Sequence, residues 1–166
     1  MNDDQELDQL LGQHQAARQK LPNSWNAFFA RFGSLRQVQL LAIPRVLAGE
    51  NLLVSAPTAG GKTEAVIAPL CEQIVTQRWS DLSVLLIVPT RALVNDLYQR
   101  LAVPCDQMKV RLGRKTSDHA ISESLTEQLL VTTPESAESL LTFRREALAS
   151  VRAVVLDEIH LGAVQE

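Results

Sequence analysis

The chain has 166 residues, the length of one domain and too short for two of ordinary size. Hydrophobic residues make up 46% and charged residues 21%, a globular and not a disordered composition with enough apolar mass for a real core. Sixteen Lys and Arg stand against 19 Asp and Glu, a formal charge of −3. That balance argues against a freestanding electrostatic nucleic-acid binder, though not against a protein that grips phosphates with backbone amides and a few arginines. Cys71 and Cys105 have neither CxxC spacing nor a histidine pair nearby, which argues against a disulfide scaffold and a zinc site. The N-terminus, MNDDQELDQL, is acidic and unlike a signal peptide, and no apolar run approaches membrane-spanning length. The expectation is a soluble cytoplasmic protein with reduced thiols and no membrane partner.

In chain order, Asp3 to Lys20 reads as an amphipathic helix, with Leu7, Leu10, Leu11, His14 and Ala17 or Arg18 at helical spacing. Its acidic start and basic end complement the helix dipole. Leu21-Pro22-Asn23 breaks the pattern, and Asn23 or Ser24 is expected to cap a short helix carrying Trp25, Phe28, Phe29 and Phe32. Leu35 to Leu47 reads as a third helix ending at Ala48-Gly49. The texture then changes. Strands are expected at Asn51–Ala56, Ser83–Val88, Met108–Leu112, Leu129–Thr132 and Val151–Leu156. Helices are expected between them at Thr63–Gln77, Arg91–Leu101, Ile121–Glu127 (short) and Pro134–Glu146. Continuous apolar strands alternating with helices predict an α/β fold, a mostly parallel sheet covered on both faces.

The strongest local signal is Ala56-Pro-Thr-Ala-Gly-Gly61-Lys62-Thr63, between an expected strand and an expected helix. Gly60 and Gly61 let the backbone curl so that successive N–H groups point at a phosphate, and the helix N-terminus adds partial positive charge. Lys62 would reach the β- and γ-phosphates, and the Thr63 hydroxyl would bind Mg2+. Such a loop leaves small-molecule kinases, GTPases, motor ATPases and helicases open. A second signal ends the last strand: Val154-Val155-Leu156-Asp157-Glu158. An aspartate there can hold Mg2+ through its water shell, and an adjacent glutamate can orient and deprotonate an attacking water.

Taken together these segments resemble the superfamily 2 DExH/DEAD-box helicases. Ala56–Thr63 resembles motif I, Pro89-Thr90-Arg91-Ala92-Leu93 motif Ia, Thr132-Thr133-Pro134-Glu135-Ser136 motif Ib, and Asp157-Glu158-Ile159-His160 the DExH form of motif II. Gln39, in Val38-Gln39-Leu40-Leu41-Ala42-Ile43-Pro44, is similar to the Q-motif glutamine. All stand in family order, and APT…GKTEA, TTPES and DEIH are closest to an Lhr-like subgroup. The resemblance implies a P-loop, RecA-like ATP-binding domain over 34–166, incomplete at its C-terminus, with a helical extension over 1–33. It implies ATP and Mg2+ as ligands. Lys62, Asp157 and Glu158 would be catalytic. Gln39, Ala59, Gly60, Gly61, Lys62 and Thr63 would hold the nucleotide, with Thr63 and Asp157 on the metal. Thr90, Arg91, Thr133 and Pro134 would contact a DNA or RNA backbone, Gly113 matches a further strand-contacting loop, and His160 would couple the site to a partner domain. Arg111 and Arg114 read as surface charges, Cys71 as a small core residue, and His14 and His119 suggest no role.

Two departures qualify the resemblance. The family commonly has Gly where this chain has Ala59; were positive φ required there, Ala would cost on the order of 1 kcal/mol unless Gly60 absorbs the turn. The chain also stops at Glu166, six residues after His160. It carries neither motif III nor a second RecA-like domain with its arginine finger, so a second chain or a further region would have to supply them. The expected function is the ATP-binding half of an ATP-dependent helicase or translocase, with little activity alone. The alternatives are a non-catalytic nucleotide- or partner-binding module and, more remotely, a P-loop transferase.

Overall fold

A computed structural model describes residues 3–57, 59–117 and 125–157. Two compact units divide the chain, Met1–Arg78 and Trp79–Glu166, and the expected boundary at 33/34 falls inside the first. None of the described helices is long and apolar enough to cross a membrane.

The first unit is helical: α1 (Asp3–Gln19), α2 (Ser24–Phe28), a 3-10 turn (Ala30–Phe32), α3 (Gln37–Leu47) and α4 (Lys62–Thr76). Both α2 and α3 pack on α4. The core takes Phe28 and Phe29 from the aromatic cluster, but Phe32 stays exposed. The start of α2 differs from expectation. Asn23 occupies the N-cap position, yet neither its side chain nor that of Ser24 caps the helix. Glu72, buried on α4, does so from 48 residues away. Its Oε2 accepts from the Ser24 N–H at 2.7 Å and the Asn23 N–H at 3.0 Å, and its Oε1 accepts from Asn23 Nδ2. A full carboxylate already satisfies the orphan donors that a local cap would serve.

Asn51–Ala56 is not a strand. A strand exists only by sharing ladder hydrogen bonds with a neighbour, and all four strands among the described residues come from the second unit. Leu53 is consequently 94% exposed.

The second unit holds β1 (Val84–Ile87), α5 (Arg91–Gln107), β2 (Leu112–Lys115), β3 (Leu129–Thr132), α6 (Pro134–Phe143), a 3-10 segment (Arg145–Ser150) and β4 (Ala153–Leu156). The strands are all parallel, in the order β2-β3-β1-β4. Leu85 and Leu130, paired in register, pack with Ala137 and Leu140 of α6. Arg114, one register row further on, reaches Asn95 and Tyr98 of α5 instead. Because side chains alternate across a strand, the two helices cover opposite faces, as the apolar strands require.

Two boundaries moved. α5 runs past Leu101 to Gln107, through Pro104. The proline's missing N–H removes one donor from the ladder, on a turn where Arg100 is exposed to water. The strand expected at Met108–Leu112 begins at Leu112 instead. Met108 closes α5, Val110 N–H returns to the Cys105 carbonyl, and Lys109 has φ +58°, which no strand residue adopts. The helix expected at 121–127 falls largely outside the described residues, and 125–127 are not helical. β4 has β1 as its one partner among the described residues, and Val154 and Leu156 are 57% and 55% exposed.

Candidate functional site

In the first unit the loop leading into α4 curls on itself. Gly60 N–H donates to the Pro57 carbonyl at 2.9 Å. Gly61 is the N-cap of α4 in the left-handed region (φ +81°), and its carbonyl accepts from Ala65 N–H at 3.0 Å, opening the helix. Ala59 also has positive φ (+59°), so Gly60 does not absorb the turn and the alanine carries the strain itself. Lys62 Nζ donates to the Ala56 and Pro57 carbonyls at 2.7 and 3.2 Å. Its ammonium thus sits over the loop, with Thr63 beside it in the first turn of α4.

Gln39 is buried and braces this loop. Its Oε1 accepts from Arg36 N–H at 2.9 Å, and its Nε2 donates to the Gly61 carbonyl at 3.3 Å. A reciprocal cap from Arg36 is chemically closed, since a guanidinium has no acceptor. Arg36 instead donates through Nη1 to the Ala59 carbonyl. Its role was not read from the sequence. The available signal was an arginine three residues before Gln39, at the mouth of a phosphate loop.

In the second unit the remaining positions lie at the carboxyl ends of neighbouring strands, where open parallel sheets place ligands. Thr90 follows β1 and caps α5, its Oγ1 accepting from Leu93 N–H at 3.3 Å. Thr133 follows β3 and caps α6, its Oγ1 accepting from Ser136 N–H at 3.4 Å, with Pro134 as the first helical residue. Asp157 follows β4, and its N–H extends the ladder to the Ile87 carbonyl at 3.0 Å. The strand order β3-β1-β4 therefore sets Thr133, Thr90 and Asp157 side by side. Arg91 opens α5 close enough to Glu135 on α6 to act on it electrostatically. Gly113 lies in β2 under the Glu127 side chain, which a Cβ would displace. Thr58, Glu158, His160 and His119 lie outside the described residues.

Glu135 titrates below the usual glutamate range. Its own backbone N–H is the main cause, then the Thr133 hydroxyl, with the Arg91 charge last. A depressed folded-state pKa means that the carboxylate's contribution is complete above the unfolded value and lost as pH falls through the folded one. An NMR titration of Glu135 should therefore show an acid-shifted midpoint. Thr133→Ala should raise it more than Arg91→Ala does; the reverse order would contradict this arrangement.

The DEAD/DEAH box helicase family model matches residues 36–165, and the chain belongs to that family. It is 31% identical to the ATP-dependent helicase Lhr-Core protein 2 of Thermococcus barophilus, over 80% of this chain and 18% of that protein. It is 32% identical to the Lhr-Core helicase of Sulfolobus acidocaldarius, over 72% of this chain and 16% of that one. The U5 small nuclear ribonucleoprotein 200 kDa helicase of Mus musculus is 30% identical, over 86% of this chain and 7% of that one. The chain thus spans less than a fifth of the length of these relatives. Among solved structures, a hypothetical ATP-dependent RNA helicase from Sulfolobus tokodaii superposes with a TM-score of 0.63 at 22% identity, covering 83% of this chain and 40% of that one. The shared fold is the RecA-like α/β domain of helicases.

Proposed function

We propose that the chain is the ATP-binding part of an Lhr-like, ATP-dependent helicase or translocase that acts on DNA or RNA, with residues 1–33 as a helical extension. The observation that carries this reading is the braced phosphate loop: Lys62 and Thr63 at the α4 N-terminus, with Gln39 bonded to Gly61 and Arg36 to Ala59. The donor set suits ATP with Mg2+. A 15-residue helix opens there with its first N–H groups and positive end, and the Lys62 ammonium rests on neutral carbonyls that a triphosphate can replace as the stronger acceptor. Thr63 and Asp157 would hold the metal, which supplies charge neutralisation at the phosphates when bound. In this reading Lys62 draws charge from the γ-phosphate and Glu158 takes a proton from the attacking water. Gln39 would face the adenine edge, and His160 would pass the state of the site to a partner domain. Thr90, Arg91, Thr133 and Pro134 would meet the nucleic-acid backbone at two helix N-termini, with Gly113 of β2 as a further nucleic-acid contact.

Calorimetry with Mg-ATP tests the nucleotide half. Wild type should bind, and Lys62→Ala should bind roughly tenfold or more weakly, the loss of one or more charge-assisted hydrogen bonds. Equal binding by both would remove the basis of the proposal. A second reading, a non-catalytic partner-binding module, is favoured by the exposed Val154 and Leu156 on β4, which among the described residues pairs with β1 alone. Nucleic-acid-stimulated ATP hydrolysis by this chain would count against it.

A further inference from the structure

His14 has no companions in the sequence that suggest chemistry, yet it is tied to the candidate nucleotide site. Its Nδ1 accepts a hydrogen bond from the Leu35 N–H at 3.1 Å, 21 residues along the chain. The imidazole thereby supplies an acceptor to a main-chain donor of another segment. Leu35 is buried. The next residue, Arg36, is the N-cap of α3 and holds both braces of the phosphate loop. Its N–H donates to Gln39 Oε1, whose amide reaches the Gly61 carbonyl, and its guanidinium reaches the Ala59 carbonyl. The peptide that His14 anchors therefore leads directly into the residue from which both loop contacts extend.

We propose that His14 is a positioning residue for nucleotide binding: by accepting from Leu35 N–H, helix α1 fixes the Leu35–Arg36 turn in the orientation that lets Arg36 and Gln39 brace the phosphate loop. The inference rests on the ATP-binding reading above. Without the acceptor, the Leu35 N–H must find water and the turn gains freedom. Each nucleotide-binding event would then have to order the loop again, which weakens affinity without removing any group that touches the ligand.

The experiment is Mg-ATP calorimetry on the full chain beside thermal melts, for wild type, His14→Ala, His14→Asn, Arg18→Ala and Lys62→Ala. His14→Ala should bind about fivefold more weakly than wild type, the loss of one neutral hydrogen bond. His14→Asn, whose Oδ1 can accept where Nδ1 did, should recover most of that loss. Arg18→Ala removes a stacking contact of α1 on Trp25 (5.7 Å) without touching Leu35, and should lower the melting temperature while leaving affinity unchanged. Wild-type affinity in His14→Ala, no rescue by asparagine, or an equal loss in Arg18→Ala would each overturn the inference. If wild type shows no Lys62-dependent binding, the nucleotide reading itself falls and takes this one with it. Hydrogen exchange at Leu35 in the wild type gives a readout independent of any variant's folding. The amide should be protected, and free exchange would overturn the proposal.

Discussion

Glu72→Ala should destabilise the first unit by about 3 kcal/mol, read as a lower denaturation midpoint at unchanged slope. The side chain is 2% exposed and accepts from two backbone N–H groups at the start of α2 and from the Asn23 amide. Truncation leaves the buried Ser24 N–H without this acceptor, at a cost of about 1–3 kcal/mol for a buried orphan, and takes the same acceptor from the exposed Asn23 donors. It also releases α2 from α4, the helix that Lys62 opens. Glu72→Gln keeps an acceptor oxygen but loses the charge, so it should recover only part of the loss. A Glu72→Ala protein as stable as wild type would mean that the carboxylate contributes nothing net, as when desolvation offsets the bonds it makes.

Gly60→Val should weaken Mg-ATP binding by roughly 100-fold, the equivalent of one or two charge-assisted hydrogen bonds. A Cβ built on Gly60 would lie 2.7 Å from the Pro57 carbonyl oxygen and 3.3 Å from Ala56 Cβ. The obstacle is backbone held by the Gly60–Pro57 turn, so the loop must open, and with it the carbonyls on which Lys62 rests. Ala59→Gly is the paired variant. Ala59 already sits at φ +59°, so glycine should relieve about 1 kcal/mol of strain and raise the melting temperature while binding is retained. Equal affinities for Gly60→Val and wild type would show that the loop binds nucleotide in a different shape from this one.

Much of this site was legible in the chain. The phosphate loop before α4, the helices opening at Arg91 and Pro134, and Asp157 at the end of β4 all stand where a local pattern put them. Each depends on neighbours within a few residues: a glycine pair before a helix, a helical period opening after an apolar strand, an apolar run with a carboxylate after it. The misses have the opposite character. Asn51–Ala56 has strand composition but no ladder, because pairing belongs to two segments and composition to one. Met108–Leu112 was displaced by the way α5 terminates, with Lys109 in a conformation its residue type rarely takes. Glu72, Arg36 and His14 act across 48, 23 and 21 residues respectively, separations at which a single sequence carries no periodic signal.

The sequence by itself determined the class of fold, the helicase family resemblance and the chemical type of each residue offered to phosphate, metal and nucleic acid. The fold class follows from local propensity and period, and the resemblance from the residues of each motif; all are properties of short segments. Only the tertiary structure decided which side chains hold that machinery in place. Satisfying a buried donor is a matter of what lies within 3 Å, and folding brings distant segments to that distance for reasons written in the whole chain and not in any stretch of it.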